Sequence, residues 1–232
     1  MSEFRNEWKY RCTDTELALL KSRLSPLLAH DRYSGEDGYY CVRSLYFDDY
    51  YNTCAKQNEA GLSDRFKWRI RYYSGVESKY LHLERKYKRE GRGKKYSCAL
   101  SEDEARALIA GHPEDVMWQN NNKVFRKFCI QMMTRRLEPK VIVEYDRIAF
   151  VEPTTDVRIT FDKNISASND FHEFLDGTFK RIPLQEKQTH ILEVKFDDIL
   201  PAYLRKTVES HGFIPTSFSK YYIGRKKIEE LI

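Results

Sequence analysis

The sequence predicts an α+β fold whose strands carry an apolar face and a charged, mainly basic face, with helices covering the apolar side. Three observations lead there. Apolar and charged residues alternate with period two in several segments, the signature of strands with two different faces. Capped segments with helical spacing of leucines interrupt them. No internal repeat or low-complexity stretch divides the 232 residues, which fit a single domain over 1–232.

The elements follow in chain order. A first strand is expected over Phe4 to Cys12, and Thr13 with Glu16 opens a helix by a capping box. Leu17, Leu20, Leu24 and Leu28 then mark its apolar stripe. Strands are expected at Tyr40–Asp48, Arg65–Tyr73 and Lys79–Lys88. Gly91 and Gly93 turn the chain into another at Lys94–Leu100. Ser101 and Glu104 cap a short helix that Gly111 ends. A longer helix spans Asn122–Leu137, and strands follow at Lys140–Val151 and Val157–Asp162. Residues 166–183 read as a loop with a short helix. Thr189–Phe196 is the last strong strand. Pro201 starts a helix that Gly212 terminates, and a final helix covers Ser217–Ile232 with Phe218, Tyr222 and Ile228 near one face.

Composition excludes several classes. A net charge of +5 is too weak for general nucleic-acid binding, so no nucleic-acid partner is expected. No apolar run approaches the ~20 residues of a membrane span, and the first ten residues lack the apolar core of a secretory signal. Five cysteines, an odd number without CxxC spacing, argue against a disulfide framework or a cysteine zinc site and for reduced thiols in a cytoplasmic protein. The six histidines show no HExxH pattern. Gly91-Arg-Gly-Lys-Lys95 lacks the phosphate-loop spacing and reads as a hairpin turn. No GxGxxG, GxSxG or kinase signature is present. Aromatics such as Tyr72, Phe150 and Phe161 fall on apolar strand faces, where they serve the core rather than base stacking.

The charged faces carry the functional argument. Arg5, Glu7 and Lys9 share one; Lys67, Arg69 and Arg71 another; Glu84, Lys86 and Lys88 a third. Asp156, Arg158, Thr160 and Asp162 form a fourth, and Glu193 and Lys195 a fifth. A solvated sheet face is the ordinary outcome of such alternation. Here arginine and lysine recur at matched positions in strand after strand, and amphipathic helices are plentiful enough to cover the apolar sides. The charged faces would then line a cavity in which like charges repel unless a polyanion neutralises them. A chain of phosphates suits that role, because both cations donate charge-assisted hydrogen bonds to phosphate oxygens. Glu193 either pairs with its cationic neighbours or holds a hard divalent ion beside the phosphates; Glu7 and Glu84 are weaker candidates for the same task.

Eight short stretches, ordered along Phe4 to Lys227, resemble the VTC-type polyphosphate polymerase domain, a branch of the triphosphate tunnel metalloenzyme (CYTH-like) superfamily. They are Arg5-Asn-Glu-Trp-Lys-Tyr10, Val42-Arg-Ser-Leu-Tyr-Phe-Asp-Asp49, Lys67-Trp-Arg-Ile-Arg-Tyr72, Leu83-Glu-Arg-Lys86, Val143-Glu-Tyr-Asp-Arg147, Val157-Arg-Ile-Thr-Phe-Asp162, Ile191-Leu-Glu-Val-Lys-Phe196 and Ser217-Phe-Ser-Lys-Tyr221. The resemblance implies an antiparallel, roughly eight-stranded β-barrel tunnel with helices packed outside. It implies an ATP-dependent polyphosphate polymerase that moves the γ-phosphate of ATP onto a growing inorganic polyphosphate chain with a divalent metal, manganese or magnesium. The family's basic phosphate-binding positions fall on Lys9, Arg69, Arg71, Lys86, Arg147, Arg158 and Lys220, with Lys95 or its neighbour Lys94 as a further one. Tyr145 and Ser219 match polar positions beside the phosphates, and Glu193 matches the metal-binding glutamate. Lys195 joins the cradle from its strand face. The roles expected to be catalytic belong to Arg69, Arg71, Arg158 and Glu193.

One departure matters. The wider group often begins ExExK, and here the motif is Arg5-x-Glu7-x-Lys9. Losing the first carboxylate removes a metal ligand and weighs against the triphosphatase branch. The rivals are a metal-dependent triphosphatase or polyphosphatase and a non-catalytic polyphosphate- or nucleotide-binding module. No regulatory domain or membrane segment is read in the chain, so the membrane-bound assembly of eukaryotic relatives is not expected from it; a membrane-protein partner is left open.

Overall fold

The computed structural model describes residues 4–31, 33–34, 38–73, 80–210 and 212–231. Its helices are α1 (Asp14–Leu24), α2 (Thr53–Glu59), α3 (Glu102–Ala110), α4 (Pro113–Val116), α5 (Lys123–Arg135), α6 (Ala202–Glu209) and α7 (Lys220–Glu229). Its long strands are β1 (Asn6–Thr13), β3 (Tyr40–Asp48), β4 (Arg65–Tyr73), β5 (Tyr80–Arg89), β6 (Arg92–Ala99), β7 (Glu138–Val151), β8 (Arg158–Ser168) and β10 (Thr189–Phe196). Two-residue strands β2 (Ala29–His30), β9 (Ile182–Pro183) and β11 (Ile214–Pro215) complete the set.

All pairings are antiparallel, and the long strands run in the order β1-β10-β8-β7-β3-β4-β5-β6. The eight expected strands are therefore present. The hydrogen-bonded ladder is not a continuous ring: its two ends meet at a single bridge, where the Arg5 and Gly93 backbones exchange two 3.0 Å hydrogen bonds.

Local chemistry explains most boundaries. Thr13 and Ser101 form full capping boxes with Glu16 and Glu104. Gly111 ends α3 in the left-handed conformation, at φ 86°. The β5–β6 hairpin turns on Glu90 and Gly91, both at positive φ, as a two-residue loop matched to strand twist requires. The strand expected to stop at Asp162 instead continues to Ser168, pairing with β7 through a register shift near Tyr145. The expected strand start at Lys79 and helix end at Ile232 lie outside the described residues.

Two apolar clusters lie on the outer face of the sheet. One joins Leu45, Trp68, Ile70 and Leu83 to α3, α5 and Phe174; the other joins Phe150, Phe161, Leu192 and Val194 to α1 and α6. A third corrects the expectation that helices pack outside. On β7, Val141, Val143, Tyr145 and Arg147 share the inner face, and α7 packs on its apolar end through Tyr221, Gly224 and Ile228. The inner face is thus apolar at one end, which gives α7 a place to bury its own apolar stripe. The final helix also begins at Lys220 rather than Ser217, and buries Tyr221 where Tyr222 was expected.

The close approach of α7 depends on Gly224. A Cβ there would lie 3.1 Å from Val143 and 3.3 Å from Val141. Gly224→Leu is expected to cost about 1–3 kcal/mol by overpacking, read as a lower urea midpoint in an unfolding titration.

Candidate functional site

The inner faces of the strands enclose two adjoining cavities of about 200 and 560 Å³. They share Glu7, Arg69, Arg71, Lys86, Arg147 and Lys195, so they form two halves of one channel. Among the described residues, the smaller half is lined by ten lysines and arginines against two carboxylates. All twelve site residues named from the sequence reach this channel. Lys9, Tyr145, Glu193, Ser219 and Lys220 lie in the first half, Lys95 and Arg158 in the second, and Arg69, Arg71, Lys86, Arg147 and Lys195 in both.

Strand register brings them together. Lys9 stands opposite Glu193 and Glu7 opposite Lys195 across β1 and β10. Arg69 stands opposite Glu84, and Lys67 opposite Lys86, across β4 and β5. Ser219, the N-cap of α7, accepts from the Tyr222 amide, and Lys220 extends under the channel to Asp162 at 2.5 Å and Glu193 at 3.1 Å.

Buried carboxylates brace the cations from behind. Arg147 donates two hydrogen bonds, 2.6 and 2.8 Å, to Asp162. Arg69 is 2.6 Å from Glu84, which also accepts from Lys95 at 2.7 Å. Glu84 and Asp162 are 1% and 0% exposed and do not line the channel, so the guanidinium groups stand between them and any ligand. Arg158 pairs with Asp31 and donates to the Tyr40 hydroxyl at 2.8 Å. Arg71 differs. Its nitrogens donate to the hydroxyls of Ser44, Tyr145 and Tyr73 at 3.2–3.4 Å, and the nearest carboxylate, Glu84, is 3.9 Å away. Its geometry is fixed while its charge is poorly compensated, the combination that suits recognition of an anion.

Glu7 and Glu193 are the carboxylates that face the channel. Glu193 contacts Lys195 at 2.8 Å, Lys9 at 3.4 Å and Arg147 at 3.8 Å; Glu7 contacts Lys86 at 3.2 Å and Lys195 at 3.6 Å. Burial works to raise the Glu193 pKa, but Lys195, Lys220, Lys9 and Arg147 outweigh it and hold it well below the ordinary carboxylate range. Among the described residues no group of three potential metal ligands occurs. The donor set nevertheless fits a divalent ion that takes one or two carboxylates and draws its remaining oxygens from phosphate and water. The Thr160 hydroxyl, across from Glu193 in the ladder, is fully buried and has no hydrogen-bond partner among the described residues.

Several contributors carry no site role from sequence, among them Arg65 and Lys88 at one end of the smaller half and Lys67, Asp162, Asn58 and Asp31. Lys67 was placed on the right face, and it donates to Asn58 at 2.7 Å and Ser219 at 3.0 Å. Asp162 was likewise on a charged face, but its service as the brace for Arg147 needs the fold. Asn58 on α2 and Asp31 lie in stretches without a periodic signal.

The chain belongs to the VTC domain family: the family model matches residues 4–229. Among solved structures, a Hippeastrum adenylyl cyclase candidate, described as having a dominant triphosphatase activity, has a TM-score of 0.58 at 13% identity, covering 98% of this chain and 96% of that one. The PH1819 protein of Pyrococcus horikoshii has a TM-score of 0.55 at 11% identity, with 96% and 99% covered. A Bacillus halodurans adenylate cyclase candidate scores 0.50 at 13% identity, with 93% and 96% covered. At these identities the likeness is one of fold, extending over nearly the whole of each chain. No curated protein sequence matches significantly. No helix among the described residues is long and apolar enough to cross a membrane.

The crowded cations give the channel a pH dependence. Glu7 pulls the Lys86 pKa upward, but burial with Lys9 and Lys195 outweighs it and brings Lys86 down to about 8. Burial, then Lys86, Arg65 and Lys9, push Lys67 well below the ordinary lysine range. A bound polyanion favours the charged amines, so binding takes up protons and affinity falls as pH rises beyond about 8. Calorimetry with ATP in buffers of different ionisation enthalpy is expected to show net uptake at that pH, greatly reduced in Lys86→Arg; equal uptake in the two proteins would remove Lys86 from this role.

Proposed function

We propose that this chain is a polyphosphate polymerase that transfers the γ-phosphate of ATP to the end of an inorganic polyphosphate chain, with the near-closed ring of eight strands acting as the tunnel. The observation that carries this reading is the channel itself: a continuous basic lining, fixed by carboxylates behind it, that extends beyond the reach of a single triphosphate. On β4, Arg65, Lys67, Arg69 and Arg71 alternate on one face and span roughly 20 Å at the rise of a strand.

In this reading Arg69, Arg71, Arg147 and Arg158, with Lys9, Lys86, Lys95, Lys195 and Lys220, hold the phosphates, and Tyr145 and Ser219 orient the arginine and lysine groups they touch. A terminal phosphate oxygen of the chain attacks the γ-phosphorus, the bond to the β–γ bridging oxygen breaks, and ADP leaves. The attacking oxygen is already anionic, so no side chain need remove a proton. Rate enhancement comes from alignment and from fixed positive charge facing the phosphoryl oxygens. Glu193, with Glu7, would hold a manganese or magnesium ion, which when bound supplies further neutralisation of phosphate charge. Five cysteine thiols, four of them buried, suit a reducing compartment such as the cytoplasm.

Hydrolysis of triphosphate is the alternative, favoured by the activity described for the Hippeastrum structure. Purified protein with ATP and manganese separates the two: long phosphate chains support the polymerase, free phosphate alone supports the hydrolase, and no turnover leaves a binding module. Glu193→Gln is expected to lose both manganese binding and turnover; normal values of both would show that Glu193 only balances charge.

Arg71→Lys tests the cradle against diffuse attraction. It keeps the charge but loses the planar fork, and is expected to cost about 1.5–3 kcal/mol in ATP use. Alanine at Lys226 or Lys227, on the exposed side of α7, is expected to change the rate little because solvent screens both. Equal losses in all three would show that binding is not geometric.

A further inference from the structure

The eight long strands form a ring with one weak joint. Every other pair of neighbours shares between five and nine rungs; β1 and β10 meet over eight, β4 and β5 over nine, and β8 and β10 over five. Between β6 and β1, among the described residues, the backbones pair only where Arg5 and Gly93 exchange two hydrogen bonds of 3.0 Å. Further along, β11 takes up the free edge of β1 at Tyr10 and Arg11. The β6 edge beyond Gly93 gains no strand among the described residues, so the rest of that edge does nothing to close the ring.

Side chains add little across the joint. The Phe4 ring lies 6.0 Å, centre to centre, from the Tyr87 ring, and the Lys94 ammonium lies 6.0 Å from the Phe4 ring. Inside, the Lys86–Glu7 ion pair spans the joint at 3.2 Å. The bridging residue of β6 is a glycine, whose backbone freedom weakens a strand. Space does not demand it: a Cβ there would meet nothing closer than 3.8 Å, and its φ is not positive. The larger half of the channel lies against this joint, lined by Arg5 and Asn6 on one side and by Gly93, Lys94 and Lys95 on the other. A polyanion longer than the channel can enter a sealed ring only by an end. When the joint parts, an inner stretch can pass through the wall. Lys86 links the two events. A phosphate in the larger half competes with Glu7 for its ammonium, and so loosens the ion pair that spans the joint.

We infer that the β1–β6 joint is a lateral gate, which parts at the Arg5–Gly93 bridge and lets an inner stretch of a long polyphosphate enter or leave the channel sideways. A gate here presupposes the reading of the channel as a polyphosphate site. It adds a route independent of the ends of the chain, so that a long polyphosphate need not thread.

The bridge offers its own lock. Residues of a hydrogen-bonded antiparallel pair have Cα atoms about 5.5 Å apart, within disulfide reach. Arg5→Cys/Gly93→Cys can therefore be closed by oxidation and reopened by dithiothreitol, with peptide mass spectrometry to verify the new linkage. The probes are tripolyphosphate and a long-chain polyphosphate blocked at both ends by streptavidin, which is too large to thread. The unaltered protein and the reduced variant are expected to bind both. On oxidation, tripolyphosphate affinity is expected to stay within about twofold while affinity for the blocked chain falls about tenfold or more, and reduction restores it. Arg5→Cys alone, oxidised in the same way, is expected to bind both probes as its reduced form does. Equal affinity for the blocked chain in the oxidised and reduced double variant overturns the inference. So does an equal loss in oxidised Arg5→Cys, or a parallel loss of tripolyphosphate binding on locking. Unaltered protein that binds tripolyphosphate but not the blocked chain overturns the gate alone; binding of neither probe overturns the polyphosphate reading with it.

Discussion

Ten basic side chains cannot be packed around about 200 Å³ without something to hold them apart. The structure meets that constraint in layers. Glu84 and Asp162, almost wholly withdrawn from solvent, sit behind Arg69 and Arg147 and fix their planes. Glu7 and Glu193 stand in the channel and divide Lys9, Lys86, Lys195 and Lys220 between them. The compensation is incomplete, because the cations outnumber the carboxylates. What remains is positive charge whose geometry is set before any ligand arrives, and that makes the interior a binding surface rather than a set of satisfied ion pairs.

The helices serve this interior in two different ways. Those on the outer face bury Trp68, Ile70, Phe161 and Val194, and so oblige the alternate residues Lys67, Arg69, Arg71, Arg158, Glu193 and Lys195 to point inward. The last helix lies on the inner face instead. It covers the apolar stretch of β7 and brings Ser219 and Lys220 to the channel. There Lys220 is held between Asp162 and Glu193, with its ammonium 4.8 Å from the centre of the Tyr145 ring. The Tyr221 hydroxyl ties the same helix to Asp48 at 2.6 Å, the carboxylate that also accepts from the first amides of α2. One anchoring residue thus positions both elements that deliver Asn58 and Ser219 to Lys67.

Period-two alternation made the strands legible: β3, β4 and β10 have the limits read from Tyr40–Asp48, Arg65–Tyr73 and Thr189–Phe196. It also put Arg69, Arg71, Lys86, Arg158, Glu193 and Lys195 on faces that meet in one cavity. Three things escaped it. The length of β8 was hidden because Lys163 and Asn164 interrupt the alternation where the ladder shifts register. The placement of α7 inside the sheet was hidden because an apolar helix face does not say which apolar surface it meets; the clue was the valine pair at 141 and 143 preceding Tyr145 and Arg147 on one face. The short helix α2 begins after Asn52, which is left-handed and makes no cap hydrogen bond itself; its first amides are taken by Asp49 and Asp48, four to seven residues earlier, so no local capping signal marks it. Its Asn58 and the Asp31 partner of Arg158 are visible only once the chain is folded.

The central claim is that the inward-facing cations hold a linear chain of phosphates. A crystal structure of the protein soaked with tripolyphosphate tests it most directly. The account predicts phosphorus atoms inside the channel, with oxygens within hydrogen-bonding distance of the Arg71 and Arg147 guanidinium groups and of Lys9 or Lys220. An empty channel at a saturating concentration, or tripolyphosphate bound only on the outer surface, would contradict it.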